Sequence, residues 1–290
     1  MNHLSELVVL SGKGGTGKTS LTASLALLAG TTVLADCDVD AADLHLLLAP
    51  TVEKRHDFLS GHLSVIRQQD CTGCGICFAT CRFDAIRPLD STYHADPVLC
   101  EGCGVCVRFC PVKAIDFPER VCGEWMISST RCGPMVHAQL GVAAENSGKL
   151  VSTVREHAWE VAVEQNIPLI IADGPPGIGC PVIASLSGVS LALIVTEPTV
   201  SGLHDLQRIL ALARHFSVPT AVCVNKWDIN PQQTERIEAV AIAAGVTVTE
   251  RIRYDRAVTR AQLCQKAVVE LECEAAGDIQ KLWRQIKELL

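Results

Sequence analysis

Eight cysteines stand in two runs of identical spacing: Cys71, Cys74, Cys77 and Cys81, then Cys100, Cys103, Cys106 and Cys110. Each run reads C-x-x-C-x-x-C-x-x-x-C, and four thiolates so spaced suit a cubane [4Fe–4S] cluster, a one-electron carrier. The runs are copies offset by 29 residues. The copy extends to Gly73 and Gly75, repeated as Gly102 and Gly104, and to Ala85-Ile86, repeated as Ala114-Ile115. Zinc sites separate their C-x-x-C pairs by longer spacers, so this spacing, twice over, favours iron and sulfide.

A second chemistry is written near the start. Gly12, Lys13, Gly14, Gly15, Thr16, Gly17, Lys18 and Thr19, followed by Ser20, satisfy G-x-x-x-x-G-K-[ST]. The run follows the apolar stretch Leu7–Leu10 and opens an Ala/Leu-rich helix expected over about residues 19–28, the strand–loop–helix context of a phosphate loop. Glycines let backbone N–H groups curl around phosphate oxygens, and the helix N-terminus adds to the attraction. In such a loop Lys18 reaches the β- and γ-phosphates and the Thr19 hydroxyl holds Mg²⁺. Aspartates end two other apolar runs: Asp36, Asp38 and Asp40 after Thr32–Ala35, and Asp173 after Leu169–Ala172. Asn225-Lys226-Trp227-Asp228 ends a further apolar run. Alone, N-K-x-D also fits a guanine reader, so the base stays open between adenine and guanine on this motif.

Short apolar strands are expected at residues 7–10, 32–35, 169–172, 191–195, 220–224 and 246–248. Helices are expected at 19–28, 41–48, 151–164, 203–215, 231–244, 257–265 and 278–290. Such alternation implies an α/β domain with a parallel sheet covered on both faces. The cysteine module, 66–118, interrupts it, leaving 1–65 and 119–290 as the two parts of one domain. Residues 119–150 show no clear pattern.

A hydrophobic fraction of 48% is ample for a large core, and aromatics at 4% leave that core to Ala, Val, Leu and Ile. A net charge of −7 argues against general nucleic-acid binding, which needs a basic face. Fifteen cysteines without a secretory leader fit a reducing cytoplasm better than a disulfide framework. The uncharged stretch from Gly174 to Thr196 is long enough to span a bilayer, but its three prolines and four glycines fit loop, short helix and strand better. The C-terminal stripe Ile279, Leu282, Trp283, Ile286 and Leu289 has two readings, a core-packed helix or a membrane-surface one, and the first is preferred.

The form K-G-G-T-G-K-T, with the extra lysine at Lys13, resembles the deviant Walker A motif of the MinD/ParA superfamily, which includes the nitrogenase iron protein. The cysteine module resembles a bacterial two-cluster ferredoxin. The whole resembles MinD-superfamily ATPases that contain an inserted ferredoxin domain. The resemblance implies a deviant-Walker-A P-loop NTPase fold with a small α+β insertion, ATP and Mg²⁺ as ligands, and slow ATP hydrolysis. It implies a dimer, of like chains or with a related chain, in which Lys13 crosses to the partner's nucleotide. Asp38 would orient the attacking water, with Asp36, Asp40 and Asp43 as rivals. Asp173 would hold Mg²⁺ through water, and Asn225 would meet adenine. Residues 195–198 and 254–256 resemble family loops.

In a two-cluster ferredoxin the fourth cysteine crosses between clusters. This implies Cys71, Cys74, Cys77 and Cys110 for one [4Fe–4S], and Cys100, Cys103, Cys106 and Cys81 for the other. The departure Cys81-Arg82, where the second run has Cys110-Pro111, puts a positive charge near the second set. Cys180 follows Asp173 by seven residues, where the iron protein places a dimer-bridging ligand, with Cys122 or Cys132 as a second ligand. Cys37, Cys223, Cys264 and Cys273 read as small core residues. The functions implied are nucleotide-gated electron transfer to a redox or metal–sulfur-cluster partner, an iron–sulfur assembly carrier, or a positioning ATPase with structural clusters. Membrane contact is not expected.

Overall fold

The computed structural model describes residues 4–141 and 147–290. In chain order the elements are β1 (Ser5–Ser11), α1 (Lys18–Ala29), β2 (Val33–Asp36), α2 (Leu44–Leu48), β3 (Thr51–His62), β4 (Val65–Ile66), α3 (Ile76–Thr80), β5 (Ile86–Leu89) and β6 (Thr92–Ala95). Then come α4 (Val105–Phe109), β7 (Ile115–Asp116), β8 (Glu119–Thr130), β9 (Gly133–Leu140), α5 (Ser147–Glu164), β10 (Leu169–Pro176), α6 (Cys180–Leu186) and β11 (Leu191–Thr196). The chain ends with α7 (Val200–His215), β12 (Thr220–Val224), α8 (Pro231–Ala243), β13 (Thr247–Val248), α9 (Ala257–Leu263) and α10 (Glu274–Leu289). It divides into two compact units: Met1–His56 with Trp125–Leu140 and Asn146–Leu290, and Asp57–Glu124 with Gly141–Glu145.

One nine-stranded sheet runs in the order β13-β12-β11-β1-β10-β2-β9-β8-β3. Every pairing from β13 to β9 is parallel. Parallel strands covered on both faces must be apolar along their length, and β1, β2 and β11 meet this with runs of fully buried Val, Leu, Ile and Ala. Leu7 and Val9 of β1 join α1 and α10 in one core cluster, while Ile194 of β11 and Val222 of β12 join α7 and α8 in another. The alternation places β1, β10 and β2 side by side, so their carboxyl ends open at one place, where ligands bind in such sheets.

Three strands, β3, β8 and β9, lie where the sequence showed no apolar run. A connection of two residues joins β8 to β9, which requires them to be antiparallel. The expected all-parallel sheet is therefore extended at one edge by a reversed strand. The inward positions of β8 include Cys122, Met126 and Ser128, all buried, mixed with Glu124. Half of that face is polar, so hydrophobic periodicity could not reveal it.

The C-terminal helix settles its two readings. Ile279, Leu282, Trp283 and Ile286 are buried in the core cluster, and only Leu289 of the stripe is substantially exposed. Residues 174–196 fold as the end of β10, α6 and β11. No helix among the described residues is long and apolar enough to cross a membrane.

The second unit holds two small antiparallel pairs, β4 with β7 and β5 with β6. Helices α3 and α4 occupy repeat-equivalent places, each between the second and fourth cysteine of its run. Ile66, Ile86 and Ile115 pack with Cys77 and Cys106 in a core of their own.

Truncating Leu282, fully buried between α10 and the sheet, removes contacts that the surroundings cannot close over. Leu282→Ala is expected to cost about 2–5 kcal/mol, read as a lowered urea midpoint with unchanged slope.

Candidate functional site

The loop between β1 and α1 begins and ends on positions that admit no side chain. A Cβ on Gly12 would stand 2.2 Å from the Asp205 Cβ of α7. Gly17, at φ 87°, is the left-handed residue that turns the loop into α1, and a Cβ there would stand 2.5 Å from Asn225 Nδ2. Gly14 and Gly15 face open space. A cleft of about 490 Å³ lies over them, within the size range of small-ligand sites. Gly14 to Ser20 line it, with Asp38, Pro176 and, further along, Leu46, Leu47 and Gln262.

Lys18 lies at the floor, 6% exposed. Its Nζ donates to Asp173 Oδ1 at 2.9 Å and to Asp38 Oδ2 at 3.4 Å. The Thr19 hydroxyl donates to Asp173 Oδ2 at 2.7 Å, and Thr22, one turn on, donates to Asp173 Oδ1 at 3.0 Å. Asp36 is fully buried, and its Oδ1 accepts the Asp38 amide while Oδ2 has no partner. Lys18, Asp38 and Asp173 are thus brought together from three separate segments. Thr22 was not singled out from sequence, although its place four residues after Lys18 puts it on the same helix face.

Three carboxyl groups surround one ammonium here. Burial, followed by the charge of Asp173, pushes the Asp36 carboxyl well above its usual range. Burial also raises Asp38, against the pull of Lys18. Burial works to lower Lys18, but Asp173 and Asp38 outweigh it and its affinity for a proton rises. The excess of buried negative charge and the unpartnered Asp36 oxygen suit an added cation, and the oxygen donors are of the kind Mg²⁺ takes. Among the described residues, no three His, Cys, Asp or Glu side chains converge closely enough to bind a single metal ion, so a cation here would draw on hydroxyl and ligand oxygens as well.

Lys13 and Asn225 are both engaged within the chain. Lys13 Nζ lies 3.2 Å from Glu197 Oε2, with Thr199 Oγ1 at 3.4 Å and Ser201 Oγ at 3.5 Å. Asn225 donates to the Thr16 carbonyl at 2.7 Å and accepts the Lys226 amide at 2.9 Å. Lys226 Nζ donates to the Gly15 carbonyl at 3.1 Å and also pairs with Glu197. Glu197 therefore ties together Lys13 of the loop and Lys226, which follows β12 and reaches the loop at the Gly15 carbonyl. Its importance was hidden in sequence, where it was one residue of a loop.

In the second unit, Cys71, Cys74 and Cys77 of the first run and Cys110 of the second line one recess, closed by Ile66, Tyr93 and neighbouring residues. The Ala114 amide donates to Cys110 Sγ at 3.3 Å, and Ser64 Oγ lies 3.1 Å from Cys106 Sγ. Of the other cysteines, Cys37 and Cys223 are core residues as expected. Cys264 is exposed and Cys273 half-buried, because both lie at or beyond helix ends rather than within a packed face. Cys180 is exposed, but Cys122 and Cys132 are buried, Cys122 donating to the Ser60 carbonyl at 3.0 Å. Neither is presented at a surface as a bridging ligand must be.

A mostly parallel sheet whose first strand leads through a glycine loop to a buried lysine, flanked by aspartates from the next two strands, defines a P-loop nucleotide-binding protein. The chain belongs to the CobQ/CobB/MinD/ParA nucleotide-binding family, whose domain model matches residues 7–268. It is 35% identical over 230 residues to the uncharacterized protein MJ0578 of Methanocaldococcus jannaschii, covering 78% of this chain and 80% of that one. A second protein of that organism, MJ0579, is 25% identical over 259 residues, covering 79% and 83%. The fold is similar to that of the cell division ATPase MinD of Pyrococcus furiosus, with a TM-score of 0.60, 19% identity and full coverage of both chains. It is also similar to the septum site-determining protein MinD of Pyrococcus horikoshii complexed with Mg-ADP, with a TM-score of 0.58, 18% identity and 99% and 97% coverage.

Burial pushes the Glu197 carboxyl up, but hydrogen bonds and charge from Lys226 and Lys13 outweigh it and hold the group below its ordinary range. A depressed carboxylate contributes stability above its unfolded-state value and loses it as pH falls through the folded one. Glu197→Gln is therefore expected to destabilise the nucleotide-free protein by about 1 kcal/mol at neutral pH. In thermal melts the difference should shrink as pH falls below the ordinary glutamate range.

Proposed function

We propose that this chain is an ATP-binding and ATP-hydrolysing iron–sulfur protein that couples nucleotide-driven dimer switching to electron transfer to a partner protein. One observation carries the electron-transfer part: Cys110 of the second run stands in the same recess as Cys71, Cys74 and Cys77 of the first. Four thiols from both halves around one space is the ligand pattern of a crossed pair of [4Fe–4S] sites. The second site would take Cys100, Cys103, Cys106 and Cys81. Those two clusters would supply one-electron carriage.

For the nucleotide, Lys18 is the charge that meets the β- and γ-phosphates, once it leaves Asp173 and Asp38. Thr19 would hold Mg²⁺ by its hydroxyl and Asp173 through water, and the two side chains are already hydrogen-bonded to each other. Asp38 lines the cleft and orients the attacking water. Gly12 to Gly17, with Ser20, would offer backbone N–H groups to the phosphates, and Asn225, which donates to the Thr16 carbonyl, would meet adenine. Lys13, released from Glu197, is the residue that reaches a partner's nucleotide in a dimer. Hydrolysis then removes the γ-phosphate that held the closed dimer together.

Family membership and the MinD-like fold also favour a positioning ATPase in which the cysteine unit is structural. The buried stripe of α10 removes the one membrane-contact device that the sequence offered that reading. A role as an iron–sulfur assembly carrier differs in its chemistry, because a carrier must release its cluster to an acceptor.

Anaerobically purified protein is expected to hold about eight iron ions per chain, four for each cluster. Reduction of an electron acceptor should depend on ATP and stop with ADP. Full iron with rates indifferent to nucleotide removes the gating and leaves the positioning reading; full transfer of iron to an apo-protein identifies a carrier. Lys18→Ala is expected to weaken ATP binding about a hundredfold, near 3 kcal/mol, with iron content unchanged, measured by calorimetry.

A further inference from the structure

The two halves of the cysteine unit repeat at 29 residues, and the repeat governs packing as well as ligands. A Cβ on Gly73 would stand 2.2 Å from the Ser91 carbonyl oxygen, and one on Gly102 would stand 2.4 Å from the His62 carbonyl oxygen. Gly73 and Gly102 are equivalent, and so are His62 and Ser91. The residues two further on, Ser64 and Tyr93, are therefore equivalent too. Here the symmetry breaks. Tyr93 walls the recess of Cys71, Cys74, Cys77 and Cys110, stacks on Phe78 at 5.8 Å, and stands against Gly75. In the other half Phe117, stacked on His62 at 4.7 Å, stands against Gly104, the equivalent of Gly75. With the aromatic place filled by Phe117, which follows β7, position 64 carries a small polar residue.

Ser64 is 3% exposed, and its hydroxyl oxygen lies 3.1 Å from Cys106 Sγ. Cys106 is equivalent to Cys77. A thiolate bound to iron has no proton to give, so in a loaded site the hydroxyl must be the donor and the sulfur the acceptor. Hydrogen bonds to cluster sulfurs help set reduction potential. The reason is electrostatic: a donor dipole favours the state with more negative charge, and it does so strongly where water is excluded.

We propose that Ser64 is a redox-tuning residue that makes the two cluster sites unequal, raising the potential of the site containing Cys106 above that of the site walled by Tyr93. The inference rests on the iron–sulfur reading given above. Each site takes up one electron, supplied during titration by dithionite, and the first electron rests at the Cys106 site.

The test is potentiometry followed by electron paramagnetic resonance on anaerobically purified full-length chains. Wild type is expected to reduce in two resolved steps. Ser64→Ala should lower the higher step alone, with iron content unchanged, and Ser64→Thr should restore it. Tyr93→Ser, which places a hydroxyl at the equivalent position, should raise the lower step. Electron–nuclear double resonance of the wild type in H₂O and D₂O should show an exchangeable proton coupled to the higher-potential site. Unmoved potentials in Ser64→Ala at full iron, or no such proton in wild type, overturn the proposal. Wild type that holds no iron overturns the iron–sulfur reading itself.

Discussion

The arrangement of the nucleotide unit depends on one electrostatic knot. Lys18, Asp38 and Asp173 are held together at the floor of a cleft, with Asp36 fully buried beside them. One ammonium cannot neutralise three carboxyl groups, and in a poorly hydrated site that imbalance is expensive. It is tolerable because burial makes Asp36 hold its proton more tightly, and because hydroxyls of Thr19 and Thr22 and the Asp38 amide supply further donors. The same imbalance makes the site receptive. In the function proposed above, a magnesium–nucleotide complex would bring a cation to the carboxylates and phosphates to the lysine. The site stores its readiness to bind as unsatisfied charge.

A second layer of pairing keeps the loop in shape before any ligand arrives. Glu197 holds Lys13 and Lys226, Lys226 reaches the Gly15 carbonyl, and Asn225 reaches the Thr16 carbonyl. Two of the loop's carbonyls, those of Gly15 and Thr16, are thus held from outside the loop. This explains why the residues after β11 and β12 matter to a loop that follows β1. Parallel pairing of β1 with β11, and of β11 with β12, sets their ends next to one another.

The cysteine unit follows a different rule. It has little core, Ile66, Ile86 and Ile115 with two cysteines between them, and under the iron–sulfur function proposed above metal ligation would add to its stability. Its two halves keep the close glycine contacts of a repeat, yet they differ where a side chain meets the thiols. Duplication fixes the backbone because glycine positions tolerate nothing larger. Side chains around the sulfurs are under no such steric constraint, and that is where the halves diverge.

The phosphate loop, both cysteine runs and the order of most α/β elements were legible along the chain, because each is a local pattern. A glycine loop needs only its neighbours, and a buried parallel strand is a continuous apolar run. The core packing of α10 was legible too, since its stripe has helical spacing. Strands β3, β8 and β9 were not, because strands with mixed inward residues carry no clear period. Nor was the burial of Cys122 and Cys132, or the exposure of Cys264, since solvent access belongs to the packed surface. The sequence by itself determined which chemical groups this protein owns and their spacing along the backbone. Only the tertiary structure decided that Asp36, Asp38 and Asp173 crowd a single lysine, that Glu197 holds Lys13, and that Ser64 rather than an aromatic meets Cys106. Those facts join segments far apart in the chain, and such meetings are set by strand order and packing rather than by any local pattern.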